Sequence, residues 1–374
     1  MSPLGISQGG VLSSRQIEAM AQAGAIRVAA PLAHGQIQPA SLDLRLGAKA
    51  YRVRASFLPG KDRGVADILS ALAYDEMSLA GEGAILERGC VYVVPLMESL
   101  VLSAEVSGAA NPKSSTGRLD IFTRLITDRG ERFDEVEPGY NGPLYAEVSP
   151  RSFSVRARMG SRLNQLRFRA RPEGAGQGSF ALSDAALAEL HAKTPLVDGP
   201  LNLRDGVVLR VALGSEAFGG IVGYRAQKHT DVIDVDRIGA YRVDDYWDRL
   251  PAREGRLILD PGDFYILASR ERLAIPPDLA VEMAPMDAAI GEFRVHYAGF
   301  FDPGFGAGPD GRPAARGVLE VRSREVPFIL EDGQFIGRLV YEQMAETPQA
   351  VYGEAGVSNY QGQGLKLSKH FGAP

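Results

Sequence analysis

The chain contains two copies of one pattern, and the copies differ in their polar residues. Leu86-Glu87-Arg88-Gly89-Cys90-Val91-Tyr92-Val93-Val94 returns 173 positions later as Leu259-Asp260-Pro261-Gly262-Asp263-Phe264-Tyr265-Ile266-Leu267. The same offset carries Glu98 onto Glu271, Leu100 onto Leu273, Glu147 onto Glu320 and Gly160 onto Gly333. It also carries Lys113-Ser114-Ser115-Thr116-Gly117-Arg118 onto Met286-Asp287-Ala288-Ala289-Ile290-Gly291, which has neither a cation nor a hydroxyl group. The fold is therefore built twice, from units of about 170 residues, a common domain size. A framework kept in both copies, with one polar cluster lost, points to one site supplied by two halves.

At 374 residues the chain exceeds the usual single domain. No apolar run approaches the ~20 residues needed to span a bilayer. The N-terminal residues lack the basic and apolar regions of a secretory signal, so a cytoplasmic location is expected, with no membrane partner. The single cysteine, Cys90, excludes an intrachain disulfide and sits in an apolar pattern that reads as filler. A net charge of −5 argues against a nucleic-acid partner, but a pocket for a small anion needs only local cations. The five histidines lie far apart, and no Cys-x-x-Cys, His-x-x-x-His or His-x-Glu spacing occurs. Zinc deaminase chemistry is thereby excluded, and any hydrolysis must activate water with carboxylates and hydroxyls.

Ser13 or Ser14 reads as the N-cap of a helix through Met20. Ser183 opens a second short helix through His191. Elsewhere short β-rich runs alternate with Pro138-Gly139, Asn141-Gly142, Pro303-Gly304 and Asp332-Gly333 turns. The expectation is a mainly β chain of two tandem barrel or jelly-roll domains with a few short helices. The first spans residues 1–172. A glycine-rich linker covers 173–198, and the second domain spans 199–374. Val211-Ala212-Leu213-Gly214 reads as the counterpart of Leu44-Arg45-Leu46-Gly47. The Gly-, Gln- and Ser-rich tail from Tyr352 has no counterpart in the first half, and reads as disorder or as a lid.

Three places could carry chemistry. Lys113–Arg118 offers two cations, three hydroxyls and a glycine, a set suited to polyphosphate as well as to a solvated turn. Ala298-Gly299-Phe300-Phe301-Asp302-Pro303-Gly304-Phe305 reads as a hairpin with an aromatic wall and one carboxylate. Glu147 and Glu320 each sit in a strand pattern. If inward-facing, desolvation favours the protonated form and suits either residue to proton exchange; if outward, each is simply solvated.

Together these segments resemble the dCTP deaminases of the dUTPase-like superfamily, in a duplicated form. The family's basic residue followed by Ser-Ser-x-x-Arg is matched by Lys113–Arg118. Its Asp-Pro-Gly-aromatic hairpin is similar to Asp302-Pro303-Gly304-Phe305, and its Leu-Glu strand to Leu319-Glu320. Its tail is similar to Tyr352, Tyr360 and Gln363, and its N-terminal strand to Pro39–Gly47. The resemblance implies hydrolysis of dCTP to dUTP and ammonia, with no metal in the chemistry and Mg2+ accompanying the triphosphate. It implies Glu320 as proton shuttle, with Ser114 and Arg118 holding the water and stabilising developing charge. Lys113 and Ser115 would bind phosphate, Ala298, Phe301 and Asp302 would line the base and sugar pocket, and Tyr352 and Gln363 would close over the triphosphate.

Three departures stand out. Lys113 replaces the usual Arg, Asn359 holds the place of a tail Lys, and the late-core Gln is Gln165 in the first copy but Arg338 in the second. Family members are normally homotrimers with pockets between subunits. The duplication therefore leaves two arrangements open: one composite pocket with Glu320, or like halves meeting, with Ser114, Arg118, Glu147 and Gln165. Self-association as a dimer or trimer remains open beside a monomer with internal symmetry. The rival activities are a dUTPase, a bifunctional deaminase releasing dUMP and pyrophosphate, and a non-catalytic nucleotide sensor.

Overall fold

Alternating apolar residues between glycine and proline turns fold here as expected, into antiparallel strands. The computed structural model describes residues 9–171, 180–214, 218–284, 299–323, 325–354 and 359–372, with the backbone alone of 293–295. The chain is mainly β, with short helices at Ser14–Gln22, Val65–Leu72, Ser114–Gly117 and Asp184–Lys193 among the described residues. Ser13 is the first N-cap, with a reciprocal Ser13–Gln16 capping box, and Ser183 is the last. The helix Val65–Leu72 carried no such signal. Its cap is Gly64, and Val65 N–H donates instead to the distant Asp128 Oδ1 at 2.7 Å.

The chain divides into two units. The first is Met1–Ser179 with Asp231–Ile238 and Met344–Gln349; the second is Phe180–Thr230, Gly239–Gln343 and Ala350–Pro374. In the first unit one sheet orders Glu135–Val136, Val106–Pro112, Arg162–Ala170, Ser41–Arg45 and Ile37–Gln38, and Gly10–Val11 pairs with Arg162–Ala170. The other orders Ile121–Thr127, Asn141–Pro150, Val91–Val101, Lys49–Val53 and Ala73–Ser78. Leu42, Leu44, Leu100, Leu125, Leu144, Leu166 and Phe168 fill its main core. In the second unit Val207–Arg210, Phe335–Gln343 and Leu279–Ala284 repeat the strand order of the first sheet. Leu209, Leu267, Leu319, Ile336, Leu339 and Tyr341 belong to its core.

Hydrogen bonds fix the alignment of the copies more tightly than sequence does. Leu46 N–H donates to Ser161 O at 2.9 Å, and Gly160 N–H to Leu46 O at 2.8 Å. Val211 N–H donates to Gln334 O at 3.0 Å, and Gly333 N–H to Val211 O at 2.9 Å. Leu46 therefore answers to Val211, and Leu44-Arg45 to Leu209-Arg210, which corrects the register read from sequence. Extra residues after Ala212 in the second copy displace the offset. The same correction explains a repeated ion pair. Glu98 accepts from Arg45 N–H at 2.8 Å and Nε at 2.7 Å, and Glu271 accepts from Arg210 N–H at 2.9 Å and Nε at 2.7 Å. Both carboxylates are buried. Removing one partner of such a pair typically costs about 3–5 kcal/mol, which accounts for its presence in both copies.

Three sequence expectations change. The stretch 180–198 is not linker: Leu187, Leu196 and Val197 are core residues of the second unit. Residues 231–238, expected in the second domain, join the first unit, where Ile233–Asp234 pairs parallel with Val155–Arg156. The end of the tail is packed rather than disordered. Phe371 sits 5.6 Å from Tyr246 and 6.0 Å from Trp247 between ring centroids, and Leu367, Ser368 and His370 are buried with it.

Asp234 anchors the exchanged segment. Arg158 donates Nη1 to Oδ1 at 2.7 Å and Nη2 to Oδ2 at 2.8 Å. That guanidinium is the main reason the Asp234 carboxyl titrates below its usual range, against the opposing effect of partial burial. A depressed folded value means the stabilisation is present above the unfolded pKa of about 3.9 and disappears as pH falls through the folded value. Asp234→Asn is expected to lower unfolding free energy at pH 7 by about 1–3 kcal/mol. Urea titrations should show that deficit closing once the pH drops below the depressed carboxyl pKa. A deficit equally large in acid would mean the charge is not the cause.

Candidate active site

In the first unit the sequence Lys113–Arg118 forms a single helical turn. Lys113 is its N-cap, and Thr116 and Gly117 N–H both donate back to Lys113 O, at 2.8 and 3.0 Å. Lys113 N–H is tied to Leu163 O at 2.9 Å, which fixes the turn to the neighbouring strand. Ser115, Thr116 and Arg118 are buried, while Lys113 and Ser114 are half-buried. Asp120 follows with φ of 54°, held by Arg151 N–H to its carbonyl at 2.9 Å and by Ser152 Oγ to its carboxylate at 2.6 Å. The turn is thus rigid and polar, with Arg118 inside the fold rather than on a solvated face.

A polar row lies along the sheet next to this turn. Gln165 is paired directly with Asp43 on one side and Asn111 on the other. Directly opposed residues point to the same face, so the three form a line across three strands. Ser41 Oγ lies 3.4 Å from Gln165 Oε1, and Gln165 Nε2 donates to Pro112 O at 3.3 Å. Asp43 Oδ2 meets the Lys113 ammonium and lies 3.5 Å from Arg162 Nη1. Asp43, Gln165 and Asn111 are all buried. The second unit has the same register, Val208–Arg338–Ala284, with the chemistry removed. There Arg338 turns to Asp205 at 3.2 Å. The loss noticed in the loop therefore extends through the sheet beneath it.

The second unit carries different features. Glu320 is buried at the middle of strand Ala315–Ser323, opposite Ile266, so it is not a solvated strand residue. Phe300–Phe301 pairs with Val281 and Glu282, and the chain then turns through Asp302-Pro303-Gly304-Phe305, with Phe305 N–H on Asp302 O at 3.1 Å. Asp302 is buried, and the Phe301 and Phe305 rings are 5.0 Å apart. Gly304 has φ of +84°, and a Cβ there would lie 2.6 Å from Val351 Cβ, so only glycine fits. Ala298 lies outside the described residues, as does the second copy's Met286–Gly291.

Tyr352 packs its ring 5.4 Å from Phe305 and donates its N–H to Pro303 O at 2.8 Å. Gln363 is buried; its Nε2 donates to Arg316 O at 3.0 Å, and its O accepts from Arg316 N–H at 2.8 Å. Both tail residues are thus docked on their own unit, Tyr352 at the hairpin and Gln363 at the Glu320 strand.

Sequence reasoning missed Gln361. Its Oε1 accepts from Gly306 N–H at 3.0 Å, and its Nε2 donates to Gly304 O and Ala307 O at 3.3 and 3.2 Å. One tail side chain satisfies three backbone groups of the turn, and nothing in a Gln-rich stretch distinguishes it in advance. Gln361→Ala should cost about 1–3 kcal/mol locally and speed Gly306 amide exchange by one to two orders of magnitude. Hydrogen–deuterium exchange reads this directly, and unchanged protection would show that the turn holds itself.

Glu147, the first-copy counterpart of Glu320, is also buried. Its Oε1 accepts from Arg124 Nη2 at 2.7 Å and Nε at 3.1 Å. The Arg124 guanidinium lies 3.4 Å from the Phe133 ring centroid and 4.8 Å from that of Phe122. Glu147 therefore has a cation of its own unit matched to it. Among the described residues no group of three or more His, Cys, Asp or Glu is placed to hold a metal ion. No helix of the described residues is long and apolar enough to cross a membrane.

Two family models match in tandem. Residues 8–173 match the 2'-deoxycytidine 5'-triphosphate deaminase N-terminal domain, and residues 183–371 match the C-terminal domain. A dCTP deaminase of Natronomonas pharaonis is 32% identical over 126 residues, 32% of this chain and 60% of that protein. A dCTP deaminase, dUMP-forming, of Mycolicibacterium gilvum is 33% identical over 129 residues, 33% of this chain and 64% of that protein. The match thus spans less than two thirds of either relative. Similarity to the crystal structure of 2'-deoxycytidine 5'-triphosphate deaminase from Agrobacterium tumefaciens runs further, with 51% identity and a TM-score of 0.85. It covers 91% of this chain and 99% of that one.

Proposed function

The chain belongs to the dCTP deaminase family, and from that premise we propose that it hydrolyses dCTP at C4 of cytosine to give dUTP and ammonia. The observation that carries the reading is the one-sided loss of chemistry between the copies. The polar row Asn111–Gln165–Asp43 and the loop Lys113–Arg118 belong to the first copy, while the turn at Asp302 and the docked tail belong to the second. The assignment of two dUTPase-like β-barrels to the halves is part of the same proposal.

Water adds to C4 while Glu320 takes its proton and passes it to N3, giving a tetrahedral carbon. Glu320 then carries the hydroxyl proton to the exocyclic nitrogen, the C4–N bond breaks as C4–O becomes a carbonyl, and ammonia leaves. The sum is dCTP plus water to dUTP plus ammonia, with no redox partner. Arg118 and Ser114 hold the water and stabilise the charge that develops at C4. Lys113 and Ser115 bind phosphate, Mg2+ enters as the triphosphate's counter-ion, and Ala298, Phe301 and Asp302 take the base and sugar. Tyr352 and Gln363 cover the nucleotide from the tail. Glu320 is assigned over Glu147 because the second copy's hairpin carries Asp302 where the first copy has Glu137.

A second reading has its own support: the Mycolicibacterium gilvum relative is named dUMP-forming. Chromatography of dCTP incubated with the chain and Mg2+ separates the two. The proposal expects dUTP and ammonia in equal amounts. Equimolar dUMP and pyrophosphate would establish the bifunctional reaction, and unaltered bound dCTP would establish a sensor.

A further inference from the structure

We propose that Asp43 is a positioning residue for nucleotide binding, acting by fixing the Lys113 ammonium; this rests on the reading of Lys113 as a phosphate ligand. Asp43 is 1% exposed, yet its carboxylate does not serve the strand it belongs to. Its Oδ2 is spent on Lys113 and, at 3.5 Å, on Arg162, and its Oδ1 has no hydrogen-bond partner among the described residues. A buried carboxylate with an unspent oxygen is costly to keep for stability alone.

The second copy shows that the fold does not need it. In the same register Val208 stands where Asp43 does, and the 173-residue offset places Met286 where Lys113 stands. Acid and base are lost together, and with them Asn111, replaced by Ala284. The repeated Arg–Glu pair beside them is kept in both copies. A structural ion pair persists through the duplication, whereas this pair disappears with the phosphate loop.

Lys113 carries three donors on a flexible stem. Asp43 takes one and holds the stem, so the ordering cost falls on the fold rather than on the binding step. An opposing effect exists, because a carboxylate near a triphosphate repels it. Oδ2 is shared with two cations, Lys113 and Arg162, so the ordering effect outweighs the repulsion.

The test uses Asp43→Asn, which keeps size and removes the charge, in the full chain. The KM for dCTP is expected to rise roughly fivefold to tenfold, the range set by one side chain that must now be immobilised on binding, with kcat within about threefold. In a Lys113→Ala background the same change should leave KM unaltered, because Asp43 acts only through Lys113. A fall in KM would mean that Asp43 merely repels phosphate, and an additive effect in the Lys113→Ala background would mean that it acts elsewhere. Either overturns the proposal. Acetylation of Lys113 by an N-hydroxysuccinimide ester, followed by mass spectrometry without nucleotide, reads the tether by itself. Asp43→Asn should raise that rate severalfold relative to the other lysines, and an unchanged rate overturns the tether. Absence of dCTP turnover in the unsubstituted chain would refute the functional reading alone and leave the acetylation result standing.

Discussion

Arg118→Lys is expected to lower kcat for dCTP by about 10²–10³-fold, the usual loss when one donor to a developing charge is removed. Arg118 is 3% exposed and caps the turn Ser114–Gly117, with its N–H on Ser114 O at 3.1 Å. Lysine keeps the charge but loses the planar fork that can serve two acceptors at once. The turn itself is held by backbone bonds to Lys113 O, so it should survive the change. KM for dCTP should therefore shift much less than kcat. Steady-state kinetics with ammonia detection decides it. Equal losses in thermal stability and in both constants would instead make Arg118 a core residue without a role in the reaction.

The second large effect is at Glu320. Glu320→Gln retains shape and hydrogen bonding but cannot exchange a proton, and general acid–base catalysis is typically worth about 10²–10⁴-fold. Turnover should fall by that factor or more while dCTP binding, read by calorimetry, stays within a few-fold of the unsubstituted chain. Burial at the centre of a strand gives Glu320 the desolvated setting this work needs.

Much of this was legible in the chain. The 173-residue offset located Glu98 and Glu271, Gly160 and Gly333, and Glu147 and Glu320, and structure gives the first two pairs equivalent roles. Local rules sufficed where local bonds decide, as at the Ser13 and Ser183 caps. The polar row was hidden because Asp43, Gln165 and Asn111 are far apart in sequence and meet only across strands. The insertion after Ala212 also broke the offset at the point where Asp43 would have been compared with Val208. The exchange of Asp231–Ile238 into the first unit depends on a parallel pairing with Val155–Arg156, which no periodicity records. The packing of the tail's end was not legible because its apolar residues, Leu367 and Phe371, are isolated among Gly, Gln and Ser, and one aromatic cluster outweighs that composition.

The central claim of the proposed function is that Glu320, rather than Glu147, is the proton shuttle. It is tested most directly by measuring ammonia release from dCTP with Glu320→Gln and Glu147→Gln side by side. The account predicts that Glu320→Gln is inactive. Glu147→Gln should keep turnover within about tenfold, with some loss of stability from its broken pair with Arg124. An inactive Glu147→Gln beside an active Glu320→Gln would contradict it and place the chemistry in the first copy.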